Sequence, residues 1–225
     1  MTLSERAAWG LPSQPESRVP ATLGIIAAVL LYVSLPDRLT FGPIWLLPVL
    51  EAAILLPLFI DAPRRDPEEK LWHRGAAVAL IALVSLANMV SLALLIRALL
   101  EGSQADAASL VFSAMQIWLT NVIVFGLWYW ELDRGGPSAR VRADHREPDF
   151  LFPQMITPAV APADWYPRFW DYLYVAFTNA TAFSPTDTMP LTVVAKSLMT
   201  IQSIVSLLTV ALVAARAVNI LQSPG

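Results

Sequence analysis

Cysteine is absent from the 225 residues, so no disulfide framework, thiol nucleophile or thiolate metal site can be built. Histidine is almost absent: His73 and His145 stand far apart in polar segments and cannot make a multi-histidine metal site by themselves. Charged residues make up 15% of the chain, against roughly 25% in soluble domains. The net charge of −3 lacks the basic footprint of a nucleic-acid binder, so no nucleic-acid partner is expected. No nucleophile–base or metal constellation can be assembled, and neither enzymatic activity nor a cofactor is expected. What the chain has instead is apolar bulk, 56% hydrophobic residues with mean hydropathy +0.55. It reads as an integral membrane protein with the bilayer as solvent.

Five apolar runs are bounded by charge and proline. Val19–Leu35 stops at Pro36-Asp37-Arg38, and Ile44–Ile60 contains Pro48, Pro57 and one carboxylate, Glu51. Gly75–Leu100, Ala107–Trp130 and Leu191–Leu221 are longer and smoother. About 20 residues at 1.5 Å each cross a hydrocarbon core of about 30 Å. The last three runs satisfy that length, whereas the first two are 17 residues each and demand local thinning or a half-span. The count is five crossings, with four as the alternative. Glu5 and Glu16 beside the first run, and no small-residue cleavage site before Pro36, argue that it is retained rather than removed as a signal peptide. Trp9, Trp45, Trp128, Tyr129 and Trp130 lie near span ends, where amphipathic rings favour the headgroup layer.

Composition divides the chain into three parts. Residues 1–130 hold a polar start and the outer or accessory spans. Residues 131–164 carry Gly135-Gly136 with Pro137, Pro148, Pro153, Pro158 and Pro162, and are expected to be an extended surface connection because each proline removes a backbone donor. Residues 165–225 begin with Trp165–Pro190, which is neither span nor ordinary loop. Phe169–Thr178 suits a three-turn helix too short to cross, and Asn179–Thr188 is rich in hydroxyls and interrupted by Pro185. A short apolar helix, irregular polar backbone and then a full span together suggest a re-entrant segment, because unpaired backbone survives at membrane depth only against protein or water. An interfacial helix lying flat is the alternative, although such a helix ordinarily has a charged face.

The run from Thr181 to Thr192, T-A-F-S-P-T-D-T-M-P-L-T, resembles the pore-loop signature of two-helix potassium channels, T-T-x-G-Y-G-D-x-x-P-L-T. Asp187 falls on the aspartate after the filter, Pro190 on the following proline and Lys196 on a basic residue entering the inner helix. Phe169–Thr178 falls on the pore helix, and Val213–Asn219 resembles the cytoplasmic end of the inner helix in small bacterial members. Together with the run count, the expected fold is an all-α membrane protein of about five transmembrane helices, in which the resemblance implies a re-entrant pore helix and loop before the last. The resemblance also implies fourfold assembly and ion conduction in a prokaryotic plasma membrane. Thr181, Ala182, Phe183, Ser184, Pro185, Thr186 and Asp187 are the filter positions it assigns.

The departures from that signature fix the expected chemistry. A potassium filter stacks backbone carbonyls by alternating left- and right-handed residues, which glycine permits. Here Ser184 and Thr186 replace the two glycines and Pro185 replaces the tyrosine. A left-handed non-glycine residue costs about 1–2 kcal/mol, and proline holds φ near about −65°. The expectation is a wider, hydrated opening lined by side chains, with a ring of Asp187 carboxylates favouring monovalent cations without potassium selectivity. Asp187 reads equally as a turn residue between Pro185 and Pro190, and the two roles are compatible.

Within the spans, Thr200, Ser203, Ser206 and Thr209 recur every third residue and share one face of the last helix. They line a pore in one reading and pack helix against helix in the other. Lys196 joins that face and is expected to snorkel to the interface. Glu51, Asn88, Gln116 and Asn121 lie at similar depth and suggest a hydrogen-bonded intramembrane cluster, either a gating or proton-sensing element or glue between helices. Bases are expected on the cytoplasmic side. Asp61–Arg74 has four and Glu131–Arg168 has five, and two spans separate these segments, so they share a side. That rule places the approach to the pore loop inside the cell, whereas the channel resemblance places it outside, and orientation stays open. Two rival functions remain: a non-conducting scaffold or signalling protein with a vestigial loop, and a proton-coupled carrier using Glu51. One interrupted helix is clear where carriers often pair two.

Overall fold

The computed structural model describes residues 6, 9–12, 16–40, 43, 45–46, 48–50, 52–53, 71–101, 107–141, 147–162, 164–181 and 187–222. Five helices longer than two turns appear among them: α1 (Val19–Val33), α2 (Leu71–Leu100), α3 (Ala107–Leu132), α4 (Phe169–Thr181) and α5 (Val193–Gln222). Three of these, within Arg74–Leu100, Ala108–Arg140 and Val193–Ala215, are long and apolar enough to cross a membrane. The chain is therefore an all-α membrane protein among its described residues, apart from one two-residue ladder. α1 is apolar but only 15 residues long. Most of the run 44–60, Glu51 included, lies outside the described residues.

The helix boundaries have local causes. Pro36 disfavours helical backbone at Leu35, and α1 gives way to a single turn at Asp37–Leu39 closed by Thr40 Oγ1 donating to the Asp37 carbonyl. α4 starts at one half of a capping box: the Asp171 carboxylate accepts the Arg168 backbone N–H at 2.7 Å, covering a donor that the first turn leaves unpaired. One face of α4 then buries Phe169, Tyr172, Val175, Ala176 and Ala180, while Trp170, Tyr174 and Phe177 are exposed on the other. The helix runs three residues beyond the Phe169–Thr178 expected from sequence.

Contacts divide the chain into two compact units, Met1–Gly24 with Phe125–Ile204 and Ile25–Val124 with Val205–Gly225. The second has an aliphatic core of Tyr32, Leu35, Leu39, Leu92, Leu95, Leu110, Ala114, Ile117 and Val205. In lipid such packing draws on van der Waals fit rather than on the expulsion of water. The first unit has an aromatic core. Tyr172 stands edge-on to Phe150 and Phe152, with centroids 6.1 and 5.3 Å away, and Trp130 meets Phe169 at 6.1 Å. α4 reaches α3 closely at Gly126, where an added Cβ would lie 3.1 Å from the Leu173 Cα.

The described residues of 131–164 differ from the extended surface connection expected. Glu131, Asp133, Arg134 and Arg140 are fully buried, and single helical turns form at Asp133–Gly135, Pro137–Arg140, Pro153–Ile156 and Pro158–Val160. The prolines at 137, 153 and 158 start these turns instead of preventing them, because the first helical position needs no donor and suits the fixed φ of proline. Phe150–Leu151 (β1) pairs antiparallel with Met189–Pro190 (β2), Phe150 opposite Pro190 and Leu151 opposite Met189.

Candidate functional site

The helix–loop–helix stretch singled out in the sequence is held at both of its ends. At the first end, α4 lies along the start of α5 through two amides. Asn179 Nδ2 donates to the Met199 carbonyl at 2.9 Å and to Gln202 Oε1 at 2.8 Å, while Ser203 Oγ donates to Asn179 Oδ1 at 3.2 Å. Gln202 is fully buried, with Nε2 donating to the Ala176 carbonyl at 2.8 Å and Oε1 accepting the Tyr129 hydroxyl at 2.5 Å. Both amides therefore use donors and acceptors across elements, the condition under which buried polar groups hold helices together rather than destabilise them.

At the second end, an aspartate from the connection fastens the chain entering α5. Asp149 accepts the Thr192 hydroxyl at 2.6 Å on Oδ1 and the Arg134 backbone N–H at 2.8 Å on Oδ2, and its carbonyl accepts the Leu191 N–H at 2.9 Å. The β1–β2 ladder continues this attachment. Asp149 is itself tied to Asp133, whose Oδ1 accepts the Asp149 N–H at 2.9 Å and whose Oδ2 accepts the Tyr172 hydroxyl at 2.5 Å. One acidic pair thus reaches both α4 and the residues just before α5. Burial, above all, holds the Tyr172 phenol well above its ordinary pKa, with the Arg140 guanidinium opposing and Asp133 reinforcing the shift.

A second knot sits behind this frame. Arg140 is fully buried, donates to the Trp130 carbonyl at 2.6 Å and to Glu16 Oε2 at 3.2 Å, and lies over the Trp130 and Tyr172 rings at 5.8 and 5.2 Å. Glu16 also accepts the Trp130 indole N–H at 2.7 Å and the Phe169 N–H at 2.8 Å, so a residue ahead of α1 covers a donor of the first turn of α4. Arg134 holds the left-handed φ of 52° while its guanidinium donates to the Trp9 carbonyl at 2.6 Å. Gly136 follows with φ 97°, where a Cβ would stand 2.9 Å from the Glu131 carbonyl oxygen, so only glycine fits this turn.

Of the filter positions read from sequence, Thr181 ends α4 with its hydroxyl donating to the Thr178 carbonyl at 2.8 Å, and Asp187 is exposed beside buried Thr188. Ala182, Phe183, Ser184, Pro185 and Thr186 lie outside the described residues. On α5, Thr200 is exposed and donates to the Lys196 carbonyl, and Lys196 is exposed as snorkelling requires. Ser203 is half-buried on Asn179. Ser206 is buried and accepts the Asn121 amide at 2.8 Å, and buried Thr209 donates to the Val205 carbonyl. Asn88, Gln116 and Asn121 are all buried, but Gln116 and Asn121 donate away from one another: Gln116 to Ser34, just past α1, at 2.6 Å, and Asn121 to Ser206 of α5 at 2.8 Å.

The residues that do most to hold the site were not singled out from sequence: Glu16, Asp133, Arg134, Arg140, Asp149, Tyr172, Asn179 and Gln202. A signal was present in the run Trp130–Pro137, where an acid, an acid and a base follow an aromatic span end without a spacer and a glycine pair closes the run. No protein-family model, curated protein or solved structure matches the chain.

Proposed function

We infer that the protein is a pore-loop membrane channel that passes monovalent cations without strong preference for potassium, assembled as a homotetramer in a prokaryotic plasma membrane. The observation that carries this reading is the docking of α4 on the first half of α5 through Asn179 and Gln202. A helix of 13 residues, too short to cross, is fixed beside a full span, and the chain between them holds the residues of the filter resemblance. Asp149 and the β1–β2 ladder support the reading by anchoring the far side of that chain. Selectivity follows from sequence: Ser184, Pro185 and Thr186 cannot easily hold a carbonyl ladder, which leaves hydroxyls and the Asp187 carboxylates of four subunits to attract cations.

Ion flux in liposomes containing the purified protein tests this. Sodium and potassium should pass at comparable rates, and Asp187→Asn should lower the preference for cations over chloride several-fold. A strong preference for potassium over sodium overturns the selectivity argument, and absence of flux overturns conduction.

A second reading, a non-conducting scaffold or signalling protein, is favoured by one observation. Ser206 and Thr209 of the hydroxyl face are buried and bonded within their own chain. The carrier reading through Glu51 concerns a residue outside the described ones. Flux driven by a proton gradient and lost in Glu51→Gln would mark it.

A further inference from the structure

Arg134 is, among the described residues, the one residue other than glycine with a left-handed backbone, at φ 52° and ψ 27°. Gly135 and Gly136 follow at φ 87° and 97°, so φ is positive for three residues in a row. A side chain held left-handed is disfavoured roughly 5- to 30-fold relative to glycine. Such a residue persists where its surroundings over-determine it. Arg134 is fully buried and gripped from two directions. Its backbone N–H donates to Asp149 Oδ2 at 2.8 Å. Its guanidinium donates to the Trp9 carbonyl at 2.6 Å and more loosely to the Gly10 carbonyl at 3.4 Å.

The guanidinium grip holds the chain ahead of α1. Described residues of that chain lie against the same compact unit as a strap: Gly10, Leu11 and Pro12 are buried, and Arg6 donates to the Val141 carbonyl at 2.9 Å. A Cβ added at Gly10, itself at φ 62°, would stand 3.1 Å from Pro167 Cδ and 3.2 Å from Met155 Sδ. The backbone grip leads to the chain entering α5, because Asp149 also holds the Thr192 hydroxyl and the Leu191 N–H. One strained residue therefore stands between the strap and the entry to α5. Glycine at 134 would make the same turn without strain but would bring no guanidinium to the strap. The side chain is what arginine adds here.

We propose that the segment ahead of α1 is a conformational strap that locks the chain entering α5, with Arg134 as the coupling residue. With the strap seated, the guanidinium is held and the left-handed turn keeps the Arg134 N–H on Asp149. With the strap lifted, Arg134 relaxes out of that conformation, its N–H leaves Asp149, and the hold on Leu191 and Thr192 loosens. The natural absence of cysteine allows single reporters at two buried positions, Leu11→Cys on the strap and Thr188→Cys beside β2. The full chain in detergent is treated with a water-soluble maleimide, and the unaltered chain supplies the zero of labelling. Gly10→Val crowds Pro167 and Met155 and lifts the strap while Arg134, Asp149 and Thr192 keep their identities. It should speed labelling at both reporters, about five-fold or more at Thr188→Cys. Arg134→Gly should speed Leu11→Cys alone, because glycine keeps the turn, and with it the Asp149 bond, after the strap has gone. A route through the contacts of Glu16 with α4 would instead speed Thr188→Cys in both variants. Slow labelling of Thr188→Cys in Gly10→Val, fast labelling of it in Arg134→Gly, or a protected Leu11→Cys in either overturns the proposal. Should Gly10→Val fail to fold, Arg134→Gly decides alone: Leu11→Cys released with Thr188→Cys protected supports the strap, and any other pattern overturns it. Labelling does not depend on whether ions pass, so absence of flux refutes the channel reading and leaves the strap standing.

Discussion

Arg140 concentrates the residue-scale argument. A buried guanidinium loses several kcal/mol of hydration and is tolerable only with partners on its donors. Here the Trp130 carbonyl, Glu16 and two aromatic faces supply them. Arg140→Met fills similar space but strands the Glu16 carboxylate in a buried site. The expected loss is about 3–5 kcal/mol, the range seen when one partner of a buried pair is removed. Thermal unfolding in detergent, followed by tryptophan emission, measures it, and Trp130 is a reporter in direct contact. Adding Glu16→Gln should recover part of that loss, because a neutral amide no longer needs a counter-charge. If the double variant is as unstable as the sum of the two single ones, the pair is not coupled as its geometry implies.

At the scale of elements, α4 depends on its first turn. Glu16 and Asp171 place two carboxylates there, accepting the backbone N–H groups of Phe169 and Arg168. Burial, the largest cause, raises the Asp171 pKa above its ordinary value, with the Glu16 charge adding and the Arg168 N–H and guanidinium opposing. The folded chain therefore holds a proton on Asp171 at pH values where the unfolded chain has released it. Stability from this group is complete below the ordinary carboxylate pKa and is lost as pH rises through the elevated one. The midpoint of thermal unfolding in detergent should fall across that window, and Asp171→Asn should flatten the fall, since its amide oxygen can still accept the Arg168 N–H. An unchanged slope in the variant would assign the pH dependence to other groups. The ordering of the two ends of α4 is also informative: carboxylates fix its start and amides its finish, so the helix cannot slide along α5 without breaking both sets.

At the scale of the whole molecule, assembly is the open consequence of the proposed function. α5 leaves Val193, Val194, Ile201, Ile204, Leu207 and Leu208 exposed, and α4 leaves Trp170, Tyr174 and Phe177 exposed. In one chain these surfaces suit lipid or a neighbouring subunit equally. The channel reading requires the second for part of them. Images of the purified protein should show fourfold particles with α5 nearest the axis. A monomer or a twofold dimer would favour the scaffold reading. How far the fold was legible in the sequence depends on the kind of signal. α2, α3 and α5 announce themselves through length and hydropathy, and the start of α4 through its aromatic run ahead of Pro185. The connection misled, because the five prolines and the glycine pair read as surface chain while Glu131, Asp133, Arg134 and Arg140 are buried. Charges whose partners lie more than a hundred residues away, as Glu16 is from Arg140, give no local sign of being paired.

The sequence by itself determined the solvent and the class of the protein, because hydropathy summed over 20 residues decides between water and lipid without reference to any partner. It also determined that the filter-like run lacks the glycines a carbonyl ladder needs. Tertiary structure alone decided what holds α4 against α5, that Glu131, Asp133, Arg134 and Arg140 of the connection are buried, and that Ser206 and Thr209 are satisfied inside one chain. These depend on contacts between distant residues, where a hydrogen bond of 3 Å is set by the packing of whole helices rather than by any neighbour in the chain.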